Sequence, residues 1–274
     1  MLGPAALLLP VLLLNIGTFL YPVLNLASLS ARPDLPGGGI GPEWTWATWA
    51  GLFADSYYAE LVGESVLVAL AITLLTLVAG YPIALAVHRA PERWRNLLVV
   101  LCIAPLLVSA VVRTYGWLVI LGDRGVVPGL LRGLGLSPPR MMFNGTGVVI
   151  GLTEILMPYM IMALLAGFGR LDPVLEDAAA SLGAKPWTRF RRVVLPLTLP
   201  GILLGCLLAF VLAVSSFITP KLLGGGRVNL LATEIYDQAI VTLNWPVAAA
   251  LSVIVLAVFG VALLVYGRVV KAIA

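Results

Sequence analysis

Charged side chains are scarce in this chain, and so are histidine and cysteine. Only 11% of the 274 residues are Asp, Glu, Lys or Arg, whereas 61% are hydrophobic and the mean hydropathy is +1.04. So little charge cannot cover the surface of a soluble globule of this size. The composition therefore excludes an ordinary soluble protein and predicts an integral membrane protein.

The residues that most catalytic and metal sites require are also missing. The single histidine, His88, and the two cysteines, Cys102 and Cys206, have no metal-ligand spacing around them. The chain has no zinc-binding His-Glu helix and no Gly-x-Ser-x-Gly elbow, and neither triple glycine is followed by the Lys-Ser/Thr of a phosphate-binding loop. We therefore expect no catalytic residue, no bound metal, cofactor or nucleotide, and no nucleic-acid partner. A transporter, a channel or a structural membrane subunit remains.

Six stretches of the sequence are long and apolar enough to cross a bilayer, which takes about 20 residues of helix. They predict an all-α, polytopic membrane protein with six transmembrane helices in one transmembrane domain, residues 1–274. The predicted spans lie at about 5–29, 61–87, 97–121, 146–169, 193–219 and 239–267.

The distribution of basic residues predicts how these spans are oriented. With six spans both termini lie on one side, and that side, which also holds residues 88–96 and 170–192, carries ten Lys and Arg. The opposite loops carry six, outnumbered by eight acids when Glu64, near the outer end of the second span, is counted with them. Since basic residues accumulate on the cytoplasmic side, we expect both termini in the cytoplasm and read the net charge of +4 as a topology signal.

The cytoplasmic stretch "EDAAASLGAKPWTRFRRVVLPLTLPG", residues 176–201, carries helix start and stop signals. Asp172 followed by Pro173 is typical of a helix start, and Glu176 and Asp177 suit the first turns of that helix. Gly183 is typical of a helix end, and Lys185 with Pro186 begins a second helix. Helices this short are unstable alone, so the segment must dock on a lipid surface or on another protein.

The same segment resembles the "EAA" loop in the membrane subunits of bacterial binding-protein-dependent ATP-binding cassette (ABC) importers. That pattern is Glu-Ala-Ala, three residues, Gly, nine residues, Ile, one residue, Leu-Pro. The chain matches every spacing, with Asp in place of Glu at 177 and Val in place of Ile at 193; the matching residues are Asp177, Ala178, Ala179, Gly183, Val193, Leu195 and Pro196. "VVRTYGWLVILGDRGVVPGLL" from Val111, and "SFITPKLLGGG" followed by "LATEIYDQ", are similar to segments of the spermidine/putrescine branch of this family, which includes opine and phosphonate permeases.

The resemblance implies a type I ABC importer permease fold and a bacterial inner-membrane location. It implies that this chain pairs with a second homologous permease, two ATPase subunits and a periplasmic substrate-binding protein, with ATP and magnesium held by the ATPase. Residues 170–192, here called the coupling loop, would transmit ATP-driven motion through Glu176, Asp177, Ala178, Ala179 and Gly183, and through Leu195 and Pro196 beyond it. The implied cargo is a polyamine or a related amine-bearing solute.

Two charges fall deep within predicted spans, Arg113 and Glu154, and each is costly in hydrocarbon. They favour either a translocation path, with Tyr115 and Trp117 of the same family-like stretch, or a structural role in which they pair with each other or with the partner permease. A self-sufficient channel or secondary transporter, a structural anchor, and an importer of an opine or phosphonate remain as alternative functions.

Overall fold

The structure is a computed structural model that describes residues 4–169 and 171–273. Arg170, which begins the predicted coupling loop and counts among its basic residues, lies outside the described residues. The first helical run comprises α1 (Pro4–Asn15), a π-helical turn (Ile16–Leu20) and α2 (Tyr21–Leu29). A two-stranded antiparallel ribbon, β1 (Asp34–Leu35) and β2 (Gly39–Ile40), and α3 (Ala47–Ala54) follow it.

The remaining elements are all helical. The central part of the chain forms α4 (Ser56–Arg89), α5 (Glu92–Ile103), a 3₁₀ turn (Ala104–Leu107), α6 (Ala110–Leu121), α7 (Val126–Gly133) and α8 (Gly145–Phe168). The last part forms α9 (Pro173–Ser181), α10 (Pro186–Arg189), a π turn (Phe190–Val194), α11 (Leu195–Ser215), α12 (Ile218–Leu223), α13 (Leu231–Tyr236), a π turn (Asp237–Val241) and α14 (Trp245–Ile273). The all-α prediction is confirmed.

These elements group into two compact units. The first unit combines the chain up to Val62 with Leu231–Val258, and the second combines Gly63–Leu230 with the chain from Phe259 onward. The single domain expected from the sequence stays a prediction.

Five helical segments among the described residues are long and apolar enough to cross a membrane. They begin at Pro10, Ser56, Gly145, Pro186 and Trp245 and correspond to the first, second, fourth, fifth and sixth predicted spans. The bent pair Glu92–Leu107 and Ala110–Gly133 would raise the number to six if it crosses as one span.

The third predicted span, 97–121, is not one continuous helix, because the chain bends by 94° between Glu92–Leu107 and Ala110–Gly133. Pro105 lacks the N–H that would continue the helix, and Val108 and Ser109 are extended, with ψ of 132° and 135°. The Ser109 hydroxyl accepts a hydrogen bond from the N–H of Val111 at 3.3 Å and so starts α6 as a new helix.

The bounds of the last two spans also differ from the prediction. The fifth helix runs from Pro186 to Ser215 rather than 193–219, and it ends because Ser216 is extended, with ψ of 125°. The sixth begins at Trp245 rather than 239, after Leu243 takes a positive φ of 57°. Apolar content alone cannot locate such backbone breaks.

The second unit is built around α8, which packs against α4 and α11. Its buried core comprises Ala84 from α4, Met160, Ile161, Leu164 and Phe168 from α8, and Ile202 and Ala209 from α11. Gly167 and Gly201 meet so closely that a Cβ built on Gly201 would lie 2.7 Å from the Gly167 Cα. Small residues at this crossing let the two backbones approach, as is usual between membrane helices.

Candidate functional site

The first half of the coupling loop is a short helix that is capped at both ends. The Asp172 carboxylate accepts a hydrogen bond from the N–H of Val174 at 2.9 Å, and Pro173 is the first helical residue. At the other end Gly183 has a φ of +78°. The N–H groups of Gly183 and Ala184 bond to the carbonyls of Ala180 and Ala179, at 2.9 and 3.0 Å. This pair of bonds is a Schellman motif, so the predicted start and stop of α9 are confirmed.

The second half of the loop continues without interruption into the fifth span. Lys185 is the N-cap of α10 and Pro186 its first residue, and a π turn over Phe190–Val194 joins α10 to α11. Leu195 and Pro196 open α11. Pro196 can offer no N–H to the preceding turn and its ring crowds the carbonyl four residues earlier, a conflict that a wider π turn relieves. A displacement of the coupling loop would therefore act directly on a membrane-spanning helix.

The two acids at the start of the loop have different surroundings. Glu176 Oε2 lies 2.8 Å from Arg89 Nη2 at the end of α4. Asp177 is exposed. Between them and the end of α4 lies a cleft of about 360 Å³, lined by His88, Arg89, Leu171, Glu176, Asp177 and Arg189. Glu176 thus attaches the loop to α4, whereas Asp177 is available to a partner.

Apolar side chains on the coupling loop are unusually exposed. Leu182, beside the capping glycine, is 89% exposed, and Trp187 at the start of α10 is 70% exposed. Val174 and Leu175 are also exposed, while Ala178 and Ala180 add no bulk that would keep another surface away from the helix. Large apolar groups on such a short segment indicate a contact surface for another molecule.

Aromatic rings connect this surface to the core of the second unit. Trp187 stacks on Phe190, with ring centroids 5.5 Å apart, and Phe190 contacts Tyr81 of α4 edge-on at 5.9 Å. Tyr81 contacts the buried Phe168 of α8 at 5.5 Å, and its hydroxyl lies 3.1 Å from the Thr198 hydroxyl of α11. The rings therefore join the coupling loop to three spans.

Sequence reasoning missed Arg89, Tyr81, Phe168 and Phe190 as parts of this site. Aromatic residues within apolar runs give no signal that separates a ring in the core from a ring in lipid. Arg89 was counted only as a topology signal, because its partner lies 87 positions away along the chain.

A second polar site lies at the break of the third predicted span, also in the second unit. Arg113 Nη2 lies 2.9 Å from Glu154 Oε1, and Glu154 Oε2 accepts a hydrogen bond from Trp117 Nε1 at 3.1 Å. Arg113 Nη1 donates to the carbonyl of Pro105 at 3.2 Å. The structure thus brings together three of the four candidate path residues; Tyr115 is exposed on the same helix and takes no part in this cluster.

This geometry supports the structural role of Arg113. The carbonyl of Pro105 at the helix break already accepts a hydrogen bond from the N–H of Val108 at 3.1 Å. Arg113 adds a second hydrogen bond to that carbonyl, which ties α6 to the turn before the break, and its charge is neutralised by Glu154. The side chain of Glu154 is 35% exposed and that of Arg113 is 11% exposed, so Glu154 is the more accessible of the two.

Among the described residues, no group of three or more His, Cys, Asp or Glu side chains could hold a metal ion. Cys102 and Cys206 are free thiols within helices. The prediction that this chain holds no metal or cofactor of its own stays a prediction.

Comparisons with known proteins agree with these features. Residues 77–274 match the family model described as "Binding-protein-dependent transport system inner membrane component". The chain is 38% identical over 216 residues to the spermidine/putrescine transport system permease protein PotB of Escherichia coli K12, covering 78% of each protein. It is 35% identical over 213 residues to PotB of Haemophilus influenzae, covering 77% of this chain and 74% of the relative.

The fold also matches a solved structure. A chain of a bacterial ABC transporter involved in the import of the acidic polysaccharide alginate superposes with a TM-score of 0.73 at 17% sequence identity, covering 98% of this chain and 95% of that one. The expected ABC importer permease fold is confirmed.

The contacts of Arg113 predict an energetic coupling with Glu154. Either single substitution, Arg113→Gln or Glu154→Gln, leaves the other charge without its partner and should lower thermal stability in detergent. The double variant removes both charges, so its loss of stability should be smaller than the sum of the two single losses. The difference is the interaction energy of the pair, about 0.5–3 kcal/mol. Additive losses in the thermal melts of the four proteins would show that the pair does not stabilise the break.

Proposed function

This chain belongs to the family of inner membrane components of binding-protein-dependent transport systems, and we propose that it is one permease subunit of an ATP-driven importer of polyamines such as spermidine and putrescine. As a family member it is a transport subunit and not an enzyme. Family membership also argues against the self-sufficient channel and the structural anchor that the sequence left open.

The observation that carries this proposal is the coupling loop, a doubly capped helix with exposed Leu182 and Trp187. We infer that an ATPase subunit receives this helix and that closure of the ATPase pair displaces it. The displacement would reach α4 through Arg89 and Glu176 and through the ring of Tyr81, and α11 through the continuous helix that starts at Pro186. Several spans would then move together between inward-open and outward-open arrangements.

The proposed complex contains this chain, a second homologous permease, two ATPase subunits that hold ATP and magnesium, and a periplasmic binding protein that delivers the cargo. The names of the relatives support polyamines as cargo. An opine or a phosphonate is the alternative within the same family. The cargo would pass between the two permeases, and Glu154 with Tyr115 and Trp117 are the candidate contacts on this chain.

We propose that both termini and the coupling loop face the cytoplasm, which the excess of basic residues on that side supports. In a variant without Cys102 and Cys206, a cysteine in place of the exposed Ser137 should react with an impermeant thiol reagent added outside. A cysteine in place of the exposed Lys185 should react only after the membrane is opened. Labelling of position 185 from outside would contradict both the orientation and the coupling role.

Two glycines with the same backbone geometry allow a matched test of the coupling role. Gly183 ends α9 and Gly135 ends α7, with φ of +78° and +75°, and a Cβ on either would have nothing within 4 Å. Both helices end in a Schellman motif: the N–H of Leu136 donates to the carbonyl of Leu131, just as the N–H of Ala184 donates to the carbonyl of Ala179. Alanine at either site therefore costs a similar strain of about 1–2 kcal/mol, without any clash.

We expect Gly183→Ala to lower both cargo-stimulated ATP hydrolysis and spermidine uptake at least several-fold, because the strain falls on the helix that meets the ATPase. Gly135→Ala should keep both activities near the wild-type values. The measurement uses the whole complex in proteoliposomes with loaded binding protein and ATP enclosed. Equal effects of the two alanines would contradict the coupling role, and a wild-type complex that takes up neither spermidine nor putrescine would contradict the cargo.

A further inference from the structure

A buried carboxylate lies in the first unit, outside both sites described so far. Glu234 of α13 is only 8% exposed. Its Oε2 accepts a hydrogen bond from the Tyr57 hydroxyl at 2.7 Å, and its Oε1 accepts one from Gln238 Nε2 at 2.8 Å. Two neutral donors from separate parts of the chain therefore fix both oxygens in position.

Among the residues that the structure describes, the partners of the Glu234 carboxylate are the neutral donors Tyr57 and Gln238, and no basic side chain pairs with it. A buried carboxylate normally has a cationic partner, because loss of hydration is costly and neutral donors compensate for only part of it. Glu154, at 35% side-chain exposure, has an arginine beside it, whereas the more buried Glu234 has none. Glu234 thus lacks the counter-ion that its burial demands.

The groups around Glu234 suit a cation and not an anion. Tyr57 packs edge-on against Tyr58, with ring centroids 5.2 Å apart, and remains 37% exposed. The carboxylate of Asp55, two residues before Tyr57, accepts a hydrogen bond from the backbone N–H of Tyr57 at 2.9 Å. Carboxylates attract ammonium groups directly, and tyrosine rings attract them through their negative faces.

We propose that Glu234 and Tyr57 form a binding site for a primary ammonium group of the cargo, an inference that rests on the proposed polyamine importer. An arriving ammonium takes the place of the Tyr57 hydroxyl as donor to Glu234 Oε2. The exchange is favourable because the ammonium brings a full positive charge to a buried carboxylate, whereas the Tyr57 hydroxyl is a neutral donor. The displaced Tyr57 ring then offers its face to the same cation.

The position of the site in the chain fits an entry role. Tyr57 lies in the first turn of the second span and Glu234 lies between the fifth and the sixth, so the charge-based topology places both at the outer side, where the binding protein delivers cargo. The segments on that side carry more acids than bases, which favours the approach of a polycation. A phosphonate would be repelled by the same charges.

The test compares Glu234→Gln with Glu60→Gln in the complete complex, reconstituted with saturating amounts of binding protein loaded with tritiated spermidine. Glu60 is an exposed acid on α4 and a matched control for the loss of one negative charge. Glutamine at 234 keeps the size of the side chain and an acceptor for Tyr57. We expect Glu234→Gln to lower uptake about tenfold, the loss of one hydrogen bond between charged groups, and Glu60→Gln to change it less than twofold. Glu234→Asp, which keeps the charge, should recover part of the rate.

The outcomes separate this inference from the proposed function. Uptake by Glu234→Gln equal to that of wild type would overturn the ammonium site and leave the polyamine importer intact. Loss of a subunit from the purified Glu234→Gln complex would also overturn it, because Glu234 would then pair with a basic side chain of a partner. Absence of spermidine and putrescine uptake by the wild type would contradict the proposed cargo itself.

Discussion

Every backbone N–H and C=O that lies in hydrocarbon needs a partner within the protein, and this constraint governs the whole structure. It explains why long helices make up nearly all the apolar sequence, and why the break within the third predicted span has its own side-chain partners. At that break Ser109 caps the new helix and Arg113 donates to the carbonyl of Pro105. Arg113 in turn requires Glu154. The two charges that first suggested a path for cargo therefore both take part in holding this break together.

The same constraint shapes the coupling loop, where the chain leaves one span and enters the next. Its two short helices satisfy their ends locally, through Asp172 at the start and the Gly183 motif at the turn. Because the backbone groups at the helix ends are bonded within the loop, the exposed apolar side chains can contact another protein. The loop is held to the spans by the Arg89–Glu176 ion pair, by the Phe190–Tyr81 ring contact and by its helical continuity with α11. Because the ion pair is partly exposed, it contributes at most about 1 kcal/mol, so the rings and the helix carry most of the mechanical connection.

The elements that could be predicted from sequence are those whose cause is local. The ends of α9 follow from Asp172, Pro173 and Gly183, and the five long spans follow from uninterrupted apolar runs. The break after Pro105 could not be located, because proline also lies within continuous helices in this chain, at Pro82 and Pro158. The contacts of Arg113 with Glu154 and of Tyr57 with Glu234 depend on how helices that are distant in sequence pack together. Hydropathy carries no information on such packing.

The central claim is that the coupling loop is the docking element for an ATPase, and site-specific photo-crosslinking measures this contact directly. A photoreactive phenylalanine analogue is placed at Leu182, which is 89% exposed on the coupling loop, and separately at Leu134, which is 75% exposed beside the matched Gly135 turn. The account predicts a crosslink from position 182 to the ATPase subunit, with a yield that changes when ATP is added, and none from position 134. Crosslinks from position 182 to lipid alone, or equal ATPase crosslinks from both positions, would contradict it.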